Sequence, residues 1–202
     1  LHESVPLLSI WTGTGPYNEA IDPITVDEWW LLAKTEVMEM TKRGVPGIWT
    51  YNFYDGWTPN YLFWLGVTHN SIGRFYETQS YGPDNNASLR VGAQTTSREW
   101  FRPNPPLPEI KWGPRNNTNA QQSARLLSLH YVAEHRRLFL ENYWLKNKRA
   151  VDKGKAEAPH AWVIPAGQRR RVEAAELVNT FRRQGAEVHR ADQAFTAGGV
   201  SV

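Results

Sequence analysis

The spacing of apolar and polar residues predicts alternating strands and helices along the first 80 residues. Residues 25–43 place apolar side chains at three- and four-residue steps, which is the period of an amphipathic helix. Thr25 and Glu28 have the spacing of a capping box at its start, and Gly44 is the glycine expected just past its end. The remaining elements predicted here are strands over residues 3–11, 48–53 and 70–78, and a short helix from Thr58 to about Gly66.

Beyond residue 80 the pattern changes. Residues 81–122 contain six Pro and six Asn, which indicates an extended, loop-rich connection. A long helix is predicted over residues 119–148, with an exposed, flexible joint after it at residues 153–155. The end of the chain has the pattern of a β-α-β unit. Its predicted strand, helix and strand are residues 161–164, 169–184 and 186–189.

These elements predict an α/β fold in three parts. Residues 1–82 would hold a mixed sheet with helices, residues 83–155 a Pro- and Asn-rich connection with the long helix, and residues 156–202 a truncated β-α-β module. The chain begins Leu1-His2-Glu3-Ser4 and passes directly into an apolar run from Val5 to Trp11, with no Met and no charged leader, so we expect a piece of a longer protein. No apolar run approaches the roughly 18–20 residues that span a bilayer.

Charge and aromatic content differ between the two ends of the chain. Residues 1–80 carry four basic and nine acidic residues, whereas residues 81–202 carry nineteen basic and eleven acidic residues. Six of the ten Trp precede residue 65, which favours an aromatic core or, less often, a groove for sugars, peptides or bases. The absence of Cys excludes a disulfide framework, a Cys-based zinc finger and thiol catalysis. Any metal site must therefore use His and carboxylates.

Most of the His residues have spacings that do not favour a metal site. His130 and His135 are five apart on the predicted helix and thus about 140° apart around its axis, so they cannot share a metal. His160 and His189 flank the β-α-β pattern, where we expect surface positions. His69 lies just before a predicted strand, where we expect a structural role and not a metal ligand.

Glu77 is the acidic residue with the clearest candidate role. It lies in the middle of the predicted strand 70–78, where alternation places it with Phe75 on one face and leaves Arg74 and Tyr76 on the other. A carboxylate there must be hydrogen-bonded, ion-paired or catalytic, because burying it bare is costly. An ion pair with Arg74 or another basic residue is the alternative to catalysis.

Four segments of residues 1–82, the front module, occur in a characteristic order, and Glu77 follows His2 by 75 positions. The segments are Leu1-His2-Glu3-Ser4, Gly13-Thr14-Gly15-Pro16-Tyr17, residues 25–43 and Arg74-Phe75-Tyr76-Glu77-Thr78. In this order, residues 1–82 resemble the C-terminal half of the catalytic domain of zinc carboxypeptidases, the carboxypeptidase A-like metallopeptidases. The rest of the chain resembles, more loosely, the downstream part of large bacterial members of that family.

The resemblance implies a hydrolase that removes C-terminal residues from peptides or cuts related amide bonds in cell-wall peptides. It implies His2 as the third zinc ligand, Glu77 as the general base, Tyr54 as a mobile tyrosine that closes over the substrate, and Tyr17 and Asp55 as substrate contacts. It also implies a secreted or periplasmic location. Two other tyrosines compete for the mobile role, Tyr51 and Tyr61.

The family's other two zinc ligands come from a His-x-x-Glu motif upstream of the third, and this chain contains no such motif. The family's substrate-carboxylate Arg also lies upstream. A catalytic zinc site needs three protein ligands and an open position. We therefore expect one zinc ion in the full-length protein, an N-terminal half of the catalytic domain as partner, and an isolated fragment without activity.

Two other functions remain open at this point. A non-catalytic, Trp-rich binding module could stack on glycans or single-stranded nucleic acid, and the basic residues of 81–202 would supply positive charge. Nucleic acid is disfavoured because the basic residues are not interleaved with the aromatic ones. A pseudo-enzyme that has lost its metal is the third alternative.

Overall fold

The computed structural model describes most of the chain, with helices as its main element. The described residues are 4–11, 15–50, 62–73, 75–79, 83–90 and 108–201. The strands are β1 (Ser4–Trp11), β2 (Ile48–Trp49), β3 (Phe75–Gln79), β4 (Ser88–Arg90), β5 (Glu109–Lys111), β6 (Thr196–Ala197) and β7 (Val200–Ser201). The helices are α1 (Pro23–Lys42), α2 (Leu62–Thr68), α3 (Pro114–Glu134), α4 (Arg136–Ala156) and α5 (Arg171–Arg183).

A three-stranded sheet in the order β2-β1-β3 lies at the centre of the first part of the chain. β1 pairs in parallel with β2 and antiparallel with β3, so the sheet is mixed, and together with the helices it confirms the predicted α/β class. β3 is shorter than predicted, since residues 70–73 lie outside it and Asn70 adopts a turn conformation with φ of 61°. The predicted strand 48–53 is observed at residues 48–49, and its part beyond Thr50 lies outside the described residues.

Helix α1 begins earlier than its sequence pattern predicts. Its N-cap is Asp22, whose Oδ1 accepts a hydrogen bond from the backbone N–H of Ile24 at 2.9 Å, and Pro23 occupies the first helical position. The predicted capping box was therefore wrong: Thr25 and Glu28 are both buried within the helix. The predicted C-terminal end is confirmed. Gly44 has φ of 73°, which glycine adopts without steric cost.

The hydrophobic core lies between the sheet, α1 and α3. Ile10, Ile48 and Ala33 belong to its centre, and α3 contacts α1, β1 and β3 through its own buried stripe. The buried residues of α3 recur at helical spacing and therefore form one stripe along the helix. The members of that stripe are Asn117, Ala120, Ala124 and Ser128.

A second, smaller core lies where α1 meets α2. Trp29 and Ile21 pack with Val67 of α2, and all three are buried. The predicted short helix is observed as α2, although the start predicted at Thr58 lies outside the described residues. Burial of Trp29 agrees with the interpretation of the Trp content as core material.

Part of the predicted loop-rich connection forms a short antiparallel ladder, in which β4 pairs with β5. The chain then enters α3 through Gly113, which packs against the backbone of residues 84–85. A Cβ atom at position 113 would lie 2.7 Å from the carbonyl oxygen of Asp84. Asn85 Oδ1 accepts a hydrogen bond from the backbone N–H of Arg115 at 2.8 Å, and buried Trp112 donates to Asn117 at 2.7 Å. These contacts fix the start of α3.

The predicted single helix over residues 119–148 is two helices. The helical conformation is interrupted at His135, where α3 ends and α4 begins. Residues 153–155 are exposed as predicted, but the predicted flexible joint was wrong, because α4 continues through Ala156. One glycine between two lysines is a weak helix breaker, costing only about 1 kcal/mol relative to alanine.

The chain divides into two compact units, Leu1–Ala150 and Val151–Val202. In the second unit α5 is present as predicted, but the predicted β-α-β arrangement was wrong. Residues 161–164 and 186–189 are not strands, because a strand needs a ladder partner and neither segment has one among the described residues. The strands of this unit are β6 and β7, joined by Gly198 and Gly199 with φ of 58° and 80°, as a two-residue hairpin turn requires.

The predicted inward face of α5 is not buried either: no residue of this helix is buried in the structure. None of the helices within the described part of the chain is long and apolar enough to cross a membrane.

Candidate functional site

The side chain of Glu77 is only 3% exposed, although Glu is among the residues least often buried. It belongs to β3 and lies directly opposite Ser9 of β1. Its neighbours Tyr76 and Thr78 alternate to the other face, and Tyr76 packs with Ile10 in the core beneath α1 and α3. Since side chains alternate along a strand, Glu77 lies on the face of the sheet turned away from that core. Tyr76 lies on the core face as the alternation requires, the face of Glu77 follows from the same geometry, and Arg74 lies outside the described residues.

The opposite face of β3 is anchored by a second buried carboxylate. Tyr76 donates a hydrogen bond from its hydroxyl to Oε1 of Glu36 at 3.1 Å, and Glu36 is completely buried in α1. A one-residue slip of β3 would move Tyr76 out of the core and Glu77 into it. The contact between Tyr76 and Glu36 therefore helps to fix the face on which Glu77 lies.

Tyr17, a predicted substrate contact, lies in the smaller core beside α1. Its hydroxyl accepts a hydrogen bond from Nε1 of Trp30 at 3.3 Å, and its ring centroid lies 6.4 Å from that of Trp29. Burial raises the pKa of Tyr17, and the nearby charge of Asp27 raises it further, while the hydrogen bond from Trp30 acts in the opposite direction. These contacts give Tyr17 a structural role in the chain.

The other predicted site residues lie outside the described residues. These are His2, Tyr54 and Asp55, with the alternatives Tyr51 and Tyr61. The proximity of His2 to Glu77 that the resemblance implies therefore stays a prediction. Glu77 and Tyr17 are the predicted site residues that the structure places, and they belong to different elements, β3 and the segment before α1.

The five His residues that the structure describes are all exposed, as expected for His160 and His189. His69 contacts the carbonyl oxygen of Leu65 through Nδ1 at 2.6 Å, and His135 contacts that of Tyr131 at 2.9 Å. His135 also stacks on Tyr131, with ring centroids 4.1 Å apart. Across the described ranges, no three His or acidic residues are grouped closely enough to hold a metal ion.

A buried polar cluster joins α1 to α4. Lys146 is 1% exposed, and its Nζ lies 2.6 Å from Oε2 of Glu28. Asn142 donates a hydrogen bond to the other carboxylate oxygen of Glu28 at 3.0 Å. Near the same end of α1, Arg149 lies 3.4 Å from Asp22. The cluster gives a buried carboxylate a cation and an amide donor, which is what such a group requires.

The sequence did not predict this cluster. Glu28 has the spacing of a helix-capping residue, and Lys146 has the position of a basic residue near the end of a helix. The available signal was weak. Asn142, Lys146 and Arg149 recur at four- and three-residue steps and therefore share one face of α4. That spacing alone does not show whether the face is buried.

No protein-family model, curated protein or solved structure matches the chain.

Proposed function

We propose that this chain is the C-terminal half of the catalytic domain of a secreted or periplasmic zinc carboxypeptidase-like hydrolase, followed by a helical extension. Its substrates would be peptides, or cell-wall peptides with related amide bonds. The observation that carries the proposal is the burial of Glu77 in the middle of β3, on the face of the sheet turned away from the helical core. Catalytic carboxylates are commonly found in such surroundings.

In this proposal Glu77 is the general base. Its carboxylate accepts a proton from the attacking water and delivers it to the nitrogen of the leaving amine. A base must be held within hydrogen-bond distance of the water, so a rigid strand is a suitable support. β3 supplies that support through its pairing with β1 and through the contact between Tyr76 and Glu36.

The proposal assigns one zinc ion to the full-length protein, with His2 as one ligand. The residues of this chain do not fit a complete zinc site. The sequence has no His-x-x-Glu motif, and no three potential ligands are grouped within the described ranges. A catalytic zinc requires three protein ligands, so no chemical step can be assigned to the ion from this chain.

The proposal is tested by Glu77→Gln in the full-length parent. The substitution keeps the size and polarity of the side chain but removes its capacity to accept a proton. We expect the zinc content to be retained and the turnover of a peptide with a free C-terminus to fall by about 10²–10⁴.

Glu39→Gln is the control, because Glu39 is a carboxylate of α1 whose ion-pair partners, Lys42 and Arg43, lie at the end of that helix and not on β3. It should leave turnover within a few-fold of wild type. Unchanged turnover in Glu77→Gln, with both variants folded, would remove Glu77 from the mechanism and with it the proposal.

A further inference from the structure

The outer face of α4 exposes large apolar side chains. Leu140 is 66% exposed and Trp144, one turn further along the helix, is 63% exposed. Tyr143 lies beside them and is about half exposed. Residues four apart are neighbours on a helix surface, so these side chains form one continuous apolar strip.

The orientation of this strip is fixed by the opposite side of the helix. Phe139 and Lys146 of α4 are buried, and Asn142 and Lys146 contact Glu28 of α1. At about 100° per residue, Trp144 lies roughly 160° around the axis from Lys146. The buried cluster therefore holds Trp144 on the side of α4 turned away from α1.

Cations flank the apolar strip. Arg136 and Arg137 lie at its first turn, and Lys148 follows Trp144 by one turn. Glu141 is the one carboxylate among residues 136–148, and it is engaged by Arg137, whose Nε lies 2.6 Å from it. The face is therefore apolar along its middle, with a net positive charge from the residues at its two ends.

We propose that this face of α4 docks on an anionic phospholipid surface. Trp and Tyr favour the boundary between lipid headgroups and acyl chains, and Arg and Lys beside them attract anionic headgroups. The face lies on a single convex helix, which a deformable bilayer surface accommodates directly. Since no described helix can span a bilayer, the contact is peripheral. The inference is independent of the proposed hydrolase function.

The proposal is tested by sedimentation of the whole chain with vesicles of phosphatidylcholine, with or without an equal part of phosphatidylglycerol. We expect binding to the anionic vesicles and none to phosphatidylcholine alone. Leu140→Ser with Trp144→Ser should weaken binding by roughly tenfold or more, because each side chain loses the gain of leaving water. Arg136→Gln should weaken vesicle binding less than the double serine variant does. Its effect should be larger at about 0.1 M salt than at about 1 M salt, because salt screens the charges.

The matched control is Leu126→Ser with Leu129→Ser on α3, because these leucines are 66% and 57% exposed but lie outside the proposed face. The control should bind vesicles as the wild type does. Absence of binding by the wild type, or equal loss in both double variants, would overturn the proposal. Two other results, each without vesicle binding, would also overturn it. One is a dimer that dissociates when Leu140 and Trp144 are substituted. The other is oligonucleotide binding that survives that double substitution but is lost in Arg136→Gln.

Discussion

The two compact units of the chain use the same kind of helix in opposite ways. In the first unit, α4 buries Lys146 and partly buries Asn142, because Glu28 of α1 lies against both. In the second unit, α5 separates its apolar and polar residues more cleanly, yet none of its residues is buried. The comparison teaches that an apolar pattern identifies a helix, whereas burial depends on what the rest of the chain places beside it.

The largest effect that would test this comparison is expected at Lys146. Lys146→Met keeps most of the side-chain volume but leaves the carboxylate of Glu28 buried without its cation. Removal of one partner of a buried ion pair costs about 3–5 kcal/mol, and we expect a loss of unfolding free energy of that size. Chemical denaturation followed by circular dichroism measures it.

The control for Lys146→Met is the double variant Glu28→Gln with Lys146→Met. Glutamine keeps an oxygen for Asn142 and removes the buried charge, so most of the lost stability should return. A cost below about 1 kcal/mol for Lys146→Met alone would show that the ion pair is not important for the first unit.

A phenylalanine in each unit provides the next comparison. Phe139 is buried in α4 and contacts Tyr131 edge to face, with ring centroids 6.3 Å apart, whereas Phe181 of α5 is nearly half exposed. Phe139→Ala should cost about 3 kcal/mol, within the range for large-to-small changes in a core. Phe181→Ala should change stability by no more than about 0.5 kcal/mol. Equal costs, measured by the same denaturation, would contradict the contrast between the units.

The smallest of these effects should have opposite signs in the two units. Gly113→Ala places a methyl group against the backbone of residues 84–85, so it should destabilise by about 1–3 kcal/mol. Gly154→Ala lies on α4 just inside the second unit, where a methyl group meets nothing within 4 Å, and should stabilise by about 0.5 kcal/mol. Thermal unfolding of the two variants should give midpoints on opposite sides of the wild-type value.

The features that could be predicted from sequence are those decided by nearby residues. The end of α1 depends on Gly44 and its neighbours in sequence. The backbone N–H of Gly44 donates to the carbonyl of Thr41, and the N–H of Val45 donates to the carbonyl of Met40. The alternation of Tyr76 and Glu77 is equally local, since it follows from strand geometry. The predicted end of α1 was confirmed, and the core position of Tyr76 agrees with the predicted alternation.

The features that could not be predicted depend on distant residues. Glu28 is buried because Lys146, 118 positions later in the chain, supplies its counter-charge. Residues 161–164 have the composition of a strand, but composition does not provide the second strand that pairing requires. For the candidate site, strand pattern identified Glu77, whereas its approach to His2 depends on tertiary placement and remains a prediction.

The strand order β2-β1-β3 affects how fast Glu77, the candidate base, becomes buried during folding. Within the described residues this sheet contains no hairpin: Leu8 pairs with Ile48, and Ser9 with Glu77, 40 and 68 positions apart. Helix α1 can form alone on the scale of about a microsecond. Pairings between such distant residues require closure of long loops, and chains dominated by them fold over roughly milliseconds to seconds. Glu77 should therefore acquire its enclosed environment in a late step of folding, when the two ends of the front module meet.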